Sequence, residues 1–282
     1  MMKKIKFMDH RIRKVFLRFL GVISTILSLV LIFIEIPDYC KLYLGISFGV
    51  LLVITYIGIW FYANKKASTS LKIGGTTVEI IRGDIFAQKG LKVIPFNEYF
   101  DTVVDDKIIS KKSLHGKFIQ KYYTNPSDLK QKIEDDPDFN DDENWCMKKR
   151  YKDVYQKSYK LGSTFVDGDF VLTAFSKFNE KNEARLSMSE YINFLLIFWN
   201  EINRVYSLQN VSVPIFGAGI TRFSNGFNNI PINELLNIML WTFRISETRF
   251  KYPAKLRIII YKDQFDEIDL FGLKGEINDG SL

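Results

Sequence analysis

The sequence predicts an α/β protein whose globular domain follows an N-terminal two-helix transmembrane hairpin. Two long uncharged runs fall within the first 66 residues, and short apolar strands alternate with amphipathic helices after them. The formal charge of +7 belongs to the first segment, since residues 1–66 hold ten Lys/Arg against three Asp/Glu and residues 67–282 hold 29 of each. That balance removes the main support for nucleic-acid binding by the larger part.

Both uncharged runs are long enough to cross a bilayer. Residues 19–34 are sixteen residues without a charge, and their flanks extend the first predicted span to about 16–36. The second run, 42–62, contains twenty-one uncharged residues. At a rise of about 1.5 Å per residue, about twenty residues cross the ~30 Å hydrocarbon layer. The connector PDYCK, residues 37–41, allows only a tight reversal, so residues 1–66 are predicted to form a membrane hairpin.

A cleaved signal peptide is the alternative interpretation of the first run. Its basic beginning fits, but the run is long for a signal peptide, a second run follows at once, and no A-x-A cleavage signature stands out. Six basic residues precede the first span, and Lys65 and Lys66 follow the second. The positive-inside rule then places both termini in the cytoplasm. The predicted location is the cell membrane, with two spans and a cytosolic domain.

Beyond a polar linker at 63–70, the pattern predicts an α/β domain over 67–282 with a largely parallel or mixed sheet. Predicted strands cover 76–83, 91–96, 169–178, 211–216 and 255–261. One helix begins after Ser187, which stands in capping-box spacing with Glu190. Another has Pro231 at its first position, as helix starts prefer.

An acidic segment at about 124–150 departs from this pattern. Seven of the residues 134–143 are Asp or Glu. Counted from Asp136, a calcium loop needs Gly at its sixth position and Glu at its twelfth, but Asp141 and Met147 stand there. The segment is therefore predicted to be a solvated and mobile insertion.

Common catalytic and metal-binding motifs are absent from the sequence. It contains no H-E-x-x-H, no nucleophile elbow and no Walker loop, and its histidines are His10 and His115. We therefore assign no catalytic residue, no metal ligand and no cofactor. A catalytic triad that uses His115 stays open, because its partners can come from anywhere in the fold.

The stretch SVPIFGAGITRF, residues 212–223, contains a loop with almost no side chains. Gly217, Ala218 and Gly219 follow a predicted strand, and ligands of open α/β sheets bind at the carboxyl ends of strands. Small residues let successive backbone N–H groups approach an oxyanion, so the loop can hold a phosphate without Lys. A tight turn that packs against a helix explains the same residues. A dinucleotide fingerprint does not fit, since Arg222 stands where its third Gly belongs.

Two further loops follow strands. The first predicted strand ends at Gly83 and is followed directly by Asp84 and Ile85, and Asn97 comes directly after the second. Together, and in this order, the three loops resemble those of macro domains, which are ADP-ribose-binding modules with a three-layer α/β/α fold and a mixed sheet. The resemblance covers about residues 70–275.

This resemblance implies a role for each loop. Asp84, with Ile85 beside it, would accept the adenine amino group, and Asn97 would face the ribose end. The loop 217–220 would wrap the diphosphate, which explains why it is bare. His115 and Arg222 are candidate contacts, although a loop hydrogen bond explains the first and a surface role at the end of a helix or loop explains the second. The expected ligand-binding residues are Asp84, Ile85, Asn97, His115, Phe216, Gly217, Ala218, Gly219, Ile220 and Arg222.

The whole arrangement resembles the membrane-macro form of the ThsA effectors, a family from Thoeris antiphage defence. The resemblance implies a bacterial effector that senses an ADP-ribose-derived signal, made from NAD by a TIR-domain enzyme, and then oligomerises and disrupts the cell membrane. After Asn97 the chain reads EYFDTVVDDKIISKKSLHGKF, where macro-domain hydrolases usually have a second glycine-rich stretch. Binding is therefore expected in preference to hydrolysis. The alternatives are a membrane-tethered ADP-ribosyl or ADP-ribose-phosphate hydrolase and a membrane scaffold with a vestigial pocket.

Overall fold

The computed structural model describes residues 5–151, 154–179, 181–224, 230–246, 250–268 and 270–271. Within them the chain forms two compact units. The first contains residues 5–67 and 270–271, and the second contains residues 68–268. This organisation matches a predicted hairpin that is followed by an α/β domain.

Two long helices, α1 at His10–Leu31 and α2 at Asp38–Lys65, make up most of the first unit. Each is long and apolar enough to cross a membrane, and most of their large apolar side chains are exposed. The connector differs from the prediction, because it lies at 32–37 and not at 37–41. Pro37 takes the N-cap position of α2, where its missing N–H removes no helical hydrogen bond.

Aromatic side chains of α2 bind the chain that precedes α1. The Tyr56 hydroxyl donates to the Phe7 carbonyl at 2.7 Å, and the Trp60 indole donates to the Ile5 carbonyl at 2.9 Å. The Tyr56 ring also packs edge-on against the rings of Phe7 and Phe16. These contacts hold α1 and α2 together as a hairpin.

A mixed sheet of nine strands forms the centre of the second unit. The strands of this unit are β1 (Ser68–Ile73), β2 (Thr76–Arg82), β3 (Leu91–Asn97), β4 (Trp145–Tyr151), β5 (Val154–Tyr159), β6 (Thr164–Asp167), β7 (Phe170–Phe178), β8 (Ala184–Leu186), β9 (Val211–Pro214), β10 (Arg222–Phe223) and β11 (Lys255–Ile260). β4 and β5 form a separate antiparallel hairpin, and the main sheet has the order β1-β2-β11-β9-β3-β7-β8-β10 with β6 beside β7. All neighbours from β2 to β7 in this order are parallel, so their carboxyl ends meet at one edge of the sheet.

Helices cover both faces of this sheet. They are α3 (Leu114–Tyr122), α4 (Pro126–Asp135), α5 (Met188–Val205) and α6 (Ile232–Ile245), with short 3-10 helices at Ile85–Ala87 and Lys262–Glu267. On one face, Phe118 of α3 and Leu129 of α4 share a buried cluster with Ile94 of β3. On the other face, Phe194 of α5 packs on Phe175 of β7 with ring centres 4.9 Å apart. The unit is therefore a three-layer α/β/α domain, as predicted.

The predicted strands and the two predicted helices of this domain are confirmed, with ends that shift by a few residues. Ser187 caps α5 and forms the expected capping box with Glu190. Pro231, however, is the N-cap of α6, and the helix begins at the next residue. Both positions tolerate Pro, because neither N–H has a partner within the helix.

The predicted polar linker at 63–70 is much shorter in the structure. α2 continues through Lys65 and β1 begins at Ser68, which leaves only residues 66–67 between them. Side chains along β1 alternate between exposed and buried, with Leu71 and Ile73 in the core. The period of two is typical of a strand, but the polar residues at its start hide this signal.

The acidic segment is part of the folded domain, which corrects the prediction of a solvated, mobile insertion. α4 buries Leu129 and Ile133 in the core, and Phe139 in the following loop is also buried. Most of the acids of 134–143 lie on the surface, where charged side chains are solvated. The spacing of the two buried α4 residues, i and i+4, is the helical signal that the density of acids obscures.

Candidate functional site

A cavity of about 360 Å³ lies at the edge of the sheet where the parallel strands end. Its walls come from the residues that end or follow β2, β3, β7, β9 and β11. A volume of this size is typical of sites for small molecules and cofactors. Because open α/β sheets bind ligands at this edge, the cavity is the candidate site.

The three loops identified in the sequence lie in a fixed order along this edge. Asp84 follows β2, the loop 215–221 follows β9, and Asn97 ends β3. Since β11 and β9 separate β2 from β3, Asp84 and Asn97 are three strand spacings apart, or roughly 14 Å at about 4.8 Å per spacing. A ligand that contacts both ends must be elongated, with its middle against the loop 215–221.

Asp84 marks the β2 end of the cavity. Its Oδ1 accepts the backbone N–H of Phe86 at 3.0 Å and so caps the 3-10 helix Ile85–Ala87. The Asp84 side chain is exposed and lines the cavity, beside the buried Ile85. A carboxylate can accept several hydrogen bonds, so Asp84 can still accept from an amino group of a ligand.

Asn97 marks the β3 end, where a register shift against β7 interrupts the ladder. Its side chain is buried and lines the cavity. Oδ1 accepts from the backbone N–H groups of Tyr99 and Asp101 at 3.0 and 3.3 Å, and Nδ2 donates to the Asp101 carboxylate at 2.9 Å. Most of its hydrogen-bonding capacity therefore organises the loop after β3, and the second N–H of the amide is what it can offer to a ligand.

His115 lies in the first turn of α3 and lines the cavity. Its Nε2 is 3.0 Å from the carbonyl oxygen of Asp101. Since a carbonyl can only accept, Nε2 carries the proton and Nδ1 is an acceptor. The ring packs on Phe96 with 3.5 Å between ring centres. Burial lowers the pKa of His115 from 6.5 to about 3, because apolar surroundings disfavour the charged ring. His115 is therefore neutral at cellular pH.

In the loop 217–220, called the bare loop from here on, Gly217 and Gly219 are glycines for different physical reasons. Gly217 has a φ of +83°, and a Cβ at this position would lie 2.7 Å from the Phe223 ring. The turn itself requires this glycine, whatever the ligand. At Gly219, in contrast, a Cβ would meet no described atom within 4 Å. Because Gly219 also lines the cavity, its missing side chain leaves room for a ligand to approach the backbone.

Phe216 and Ile220 flank these glycines and also line the cavity. Phe216 is buried, and its carbonyl accepts the hydroxyl of Tyr191 in α5 at 3.0 Å. That bond fixes the start of the loop against the helical layer. Ile220, in contrast, is 58% exposed and offers an apolar surface at the mouth of the cavity.

Ala218 and Arg222 are not among the described residues that line the cavity. The Ala218 carbonyl accepts from the Gln264 side chain at 2.5 Å, which ties the bare loop to the 3-10 helix after β11. Arg222 pairs with Glu183 at 2.9 Å, and its side chain is mostly exposed. Ligand contact by these two residues stays a prediction.

In one wall of the cavity, His115 is the single residue that the sequence analysis predicted. This wall consists of residues in the range 108–117, from the loop before α3 through the first turn of that helix. Lys112 and Lys117 belong to this wall, and the Lys117 ammonium lies 4.8 Å from the centre of the Tyr261 ring. The N-terminus of α3, capped by Ser113, adds partial positive charge. The wall therefore suits an anionic group.

Two comparisons with known proteins establish the family. A model of the family described as "Thoeris protein ThsA, Macro domain" matches residues 78–261. The chain is also 38% identical over 281 residues to the Thoeris protein ThsA of Bacillus amyloliquefaciens (strain Y2), and the alignment covers 94% of this chain and 90% of that protein. The chain belongs to the Thoeris ThsA family.

The ThsA family model covers the chain from β2 through β11, so it includes the parallel strands and the loops of the cavity. The α/β domain is therefore a ThsA macro domain, which confirms the predicted family and fold. The first 66 of the 282 residues are nearly a quarter of the chain. An alignment that covers 94% of the chain thus includes most of the segment with the two apolar helices.

Among solved structures, the chain resembles the macrodomain of Oceanobacillus iheyensis. A structure of that macrodomain with ADP is 14% identical, with a TM-score of 0.48 and coverage of 77% of this chain and 98% of that chain. A mutant of the same macrodomain with ADPR is 15% identical, with a TM-score of 0.47 and coverage of 76% of this chain and 100% of that chain.

Proposed function

We propose that this protein is a bacterial antiphage-defence effector whose macro domain binds an ADP-ribose-type nucleotide. A TIR-domain enzyme makes this signal from NAD, and the liganded effector oligomerises and disrupts the cell membrane through α1 and α2. The observation that supports the proposal most is a cavity at the strand ends of a ThsA macro domain, lined by Asp84 at one end and Asn97 at the other, with Gly219 and the lysines of the 108–117 wall also in its lining.

The cavity suits an ADP-ribose-type molecule along its whole length. At one end the Asp84 carboxylate can accept the exocyclic amino group of adenine. In the middle, the open backbone at Gly219 and the ammonium groups of Lys112 and Lys117 suit a diphosphate. At the other end, the remaining N–H of Asn97 can donate to a ribose hydroxyl. The order of Asp84, the loop 215–221 and Asn97 follows from the order of β2, β9 and β3 in the sheet.

The residues of the cavity favour binding over hydrolysis. A hydrolase needs a base that activates water, and the lowered pKa of His115 makes it a weak one. Asp84 is the single carboxylate among the described lining residues, and it lies at the β2 end, roughly 14 Å from Asn97. Among the described residues, no group of three or more His, Cys, Asp or Glu is placed to hold a metal ion.

The first unit provides a means for the membrane step. A Cβ at Gly21, Gly45 or Gly49 would meet no described atom within 4 Å, so these glycines do not serve packing within the hairpin. Small residues at a spacing of four let membrane helices approach one another closely. We infer that these faces bind other copies of the hairpin. The ligand then drives assembly to the extent that it binds the assembled state more tightly.

Titration of the full chain in lipid nanodiscs tests the sensor function. ADP-ribose, its derivatives with other groups on the distal ribose, ADP and adenosine are compared by calorimetry, and the ligands are analysed by chromatography afterwards. We expect saturable binding of ADP-ribose or a derivative, weaker binding of ADP, still weaker binding of adenosine, and recovery of intact ligand. Absence of binding contradicts the proposal, and turnover of the ligand supports the hydrolase alternative.

Dye release from liposomes that contain the full chain tests the membrane step. The tightest-binding ligand should trigger release, and the double variant Gly45→Leu, Gly49→Leu should release less dye while it binds the ligand equally well. Release that does not depend on ligand would contradict this part of the proposal.

A further inference from the structure

Two carboxylates fasten the β4–β5 hairpin to the loop that follows β3. Glu98 is buried, and its two oxygens accept from the Lys148 ammonium at 2.8 and 2.9 Å. Asp101 accepts from Arg150 through two bonds of 2.7 Å. In the described part of the chain, β4 and β5 form a ladder only with each other. These two side-chain pairs hold the hairpin on the domain together with a backbone hydrogen bond of 2.7 Å from the Tyr159 N–H to the Glu98 carbonyl and with the burial of Tyr159 in the core.

The Asp101–Arg150 pair is the more constrained of the two attachments. Its side chains are 10% and 11% exposed, whereas the Lys148 side chain is 39% exposed. Two parallel bonds between a guanidinium and a carboxylate fix orientation as well as distance. Arg150 also donates to Gln156 of β5 at 2.8 Å, so its single side chain links both strands of the hairpin to the loop.

Asp101 is also the shared partner of two cavity residues. Its carboxylate accepts from the Asn97 amide at 2.9 Å, and its backbone carbonyl accepts from His115 Nε2 at 3.0 Å. Asn97 lines the cavity from β3 and His115 lines it from α3. One residue therefore holds two walls of the cavity and, through Arg150, the hairpin.

We propose that Asp101 and Arg150 couple the cavity to the β4–β5 hairpin. A ligand that accepts the second N–H of Asn97 fixes the orientation of the Asn97 amide. The amide then donates to the Asp101 carboxylate in the position in which that carboxylate pairs with Arg150. The coupling is reciprocal, because a change at the hairpin must alter ligand affinity by the same factor as the ligand alters the hairpin. This inference rests on the proposed function, since the ligand is its input.

Arg150 is thus a positioning residue for a ligand that it does not touch. Without the Arg150 guanidinium, Asp101 is a mostly buried carboxylate that has lost its cation, and such a group moves toward water or toward new donors. Asn97 and His115 lose their common anchor in either case. The expected result is a weaker site in a domain that is still folded.

Hydrogen–deuterium exchange of the full chain in nanodiscs, with and without saturating ADP-ribose, measures the coupling. In the wild type, the ligand should slow exchange of the amides of β4 and β5. Arg150→Met should weaken binding about ten-fold, within the usual range for coupled sites, and exchange of its hairpin should no longer respond to saturating ligand. Arg150→Lys keeps the charge without the two parallel bonds, so its affinity for ADP-ribose should lie between those of the wild type and Arg150→Met.

Arg257→Met is the matched control. Arg257 is also mostly buried and pairs with Glu79 at 3.1 Å, but it is not among the described residues of the cavity. This variant should keep the wild-type affinity and the ligand response of the hairpin. Equal affinity of the wild type and Arg150→Met, or a wild-type hairpin that does not respond to bound ligand, overturns the inference alone. Failure of the wild type to bind ADP-ribose and every one of its derivatives overturns the proposed function together with the inference.

Discussion

At the scale of single residues, the cavity is built from side chains whose positions are fixed by the protein itself. Asp84 caps a short helix, Asn97 organises the loop after β3, and His115 is held by a carbonyl and an aromatic ring. A site with fixed polar groups loses less conformational entropy when a ligand binds. The arrangement is what a sensor of one particular molecule requires.

The two glycines of the bare loop should respond differently to the same substitution. Gly217→Ala forces a Cβ toward the Phe223 ring at a positive φ, so it should lower the free energy of unfolding by about 1–3 kcal/mol. At Gly219 an added Cβ would meet no described atom within 4 Å, so Gly219→Ala should change the free energy of unfolding by less than about 0.5 kcal/mol. Thermal unfolding of the two full-chain variants in nanodiscs checks this difference. Equal losses would mean that the turn does not require Gly217.

His115 should make folding sensitive to acid. Its pKa is about 3 in the folded chain and 6.5 as a free side chain, so the unfolded chain binds more protons between these values. The contribution of His115 to the free energy of unfolding is fully present above pH 6.5 and is lost as the pH falls toward 3. Between pH 7 and pH 5 the loss should be about 2 kcal/mol.

Thermal unfolding at pH 7 and at pH 5 measures this contribution. The melting temperature of the wild type should fall more than that of His115→Gln, which has no imidazole to protonate. The difference between the two proteins removes the effect of other acid-sensitive groups. Identical shifts would show that His115 titrates normally in the folded chain.

The sequence places Asn97 and Asp84 correctly at strand ends, because a short apolar run followed by a polar residue is a local signal. The partners of these residues are not local. Asp101 binds Arg150 across 49 positions of chain, and Arg150 lies in a segment whose charge suggests solvent. No spacing rule connects a loop carboxylate to a hairpin that distant, so this ion pair could not be predicted from the sequence.

At the scale of secondary-structure elements, α3 is the important addition. Its short apolar face gives a weaker pattern than the long faces of α5 and α6, and the sequence prediction contains no helix there. The element nevertheless supplies His115, Lys117 and the positive end of a helix to the cavity. The five predicted strands were found because β-branched and apolar runs are strong signals, whereas β1 begins with polar residues and a nine-residue helix is marginal.

Of the two α3 lysines Lys117 and Lys121, only the one that lines the cavity should contribute to ligand affinity. Lys117 lines the cavity, whereas Lys121, one turn later, lies over the Phe86 ring and is not among the described lining residues. Lys117→Gln should weaken ADP-ribose binding about five- to ten-fold, and Lys121→Gln should leave it unchanged. Calorimetric titration at low salt checks this, and added salt should narrow the gap because it screens the ammonium. Equal effects would point to the overall charge and not to the wall.

At the scale of the whole molecule, the proposed topology connects a cytoplasmic sensor to a membrane hairpin. The chain has two cysteines, and both are free thiols. Cys40 lies in the first turn of α2, next to the connector, and Cys146 is exposed on β4. With both termini in the cytoplasm, the connector faces the outside of the cell.

Thiol labelling of whole cells tests this topology. A membrane-impermeant maleimide should label Cys40 in intact cells and Cys146 only after permeabilisation. Cys40→Ser should abolish the labelling of intact cells and leave the labelling of permeabilised cells. Labelling of Cys146 in intact cells would place the macro domain on the wrong side of the membrane.

The central claim is that the backbone at Gly219 lies against the phosphates of an ADP-ribose-type ligand. The most direct test is titration of Gly219→Glu in nanodiscs beside the wild type and Ile245→Glu, which adds the same charge to the exposed side of α6. We predict that Gly219→Glu keeps its melting temperature but binds at least about 100-fold more weakly, because its carboxylate meets the phosphates, while Ile245→Glu binds normally. Wild-type affinity in Gly219→Glu would contradict the account.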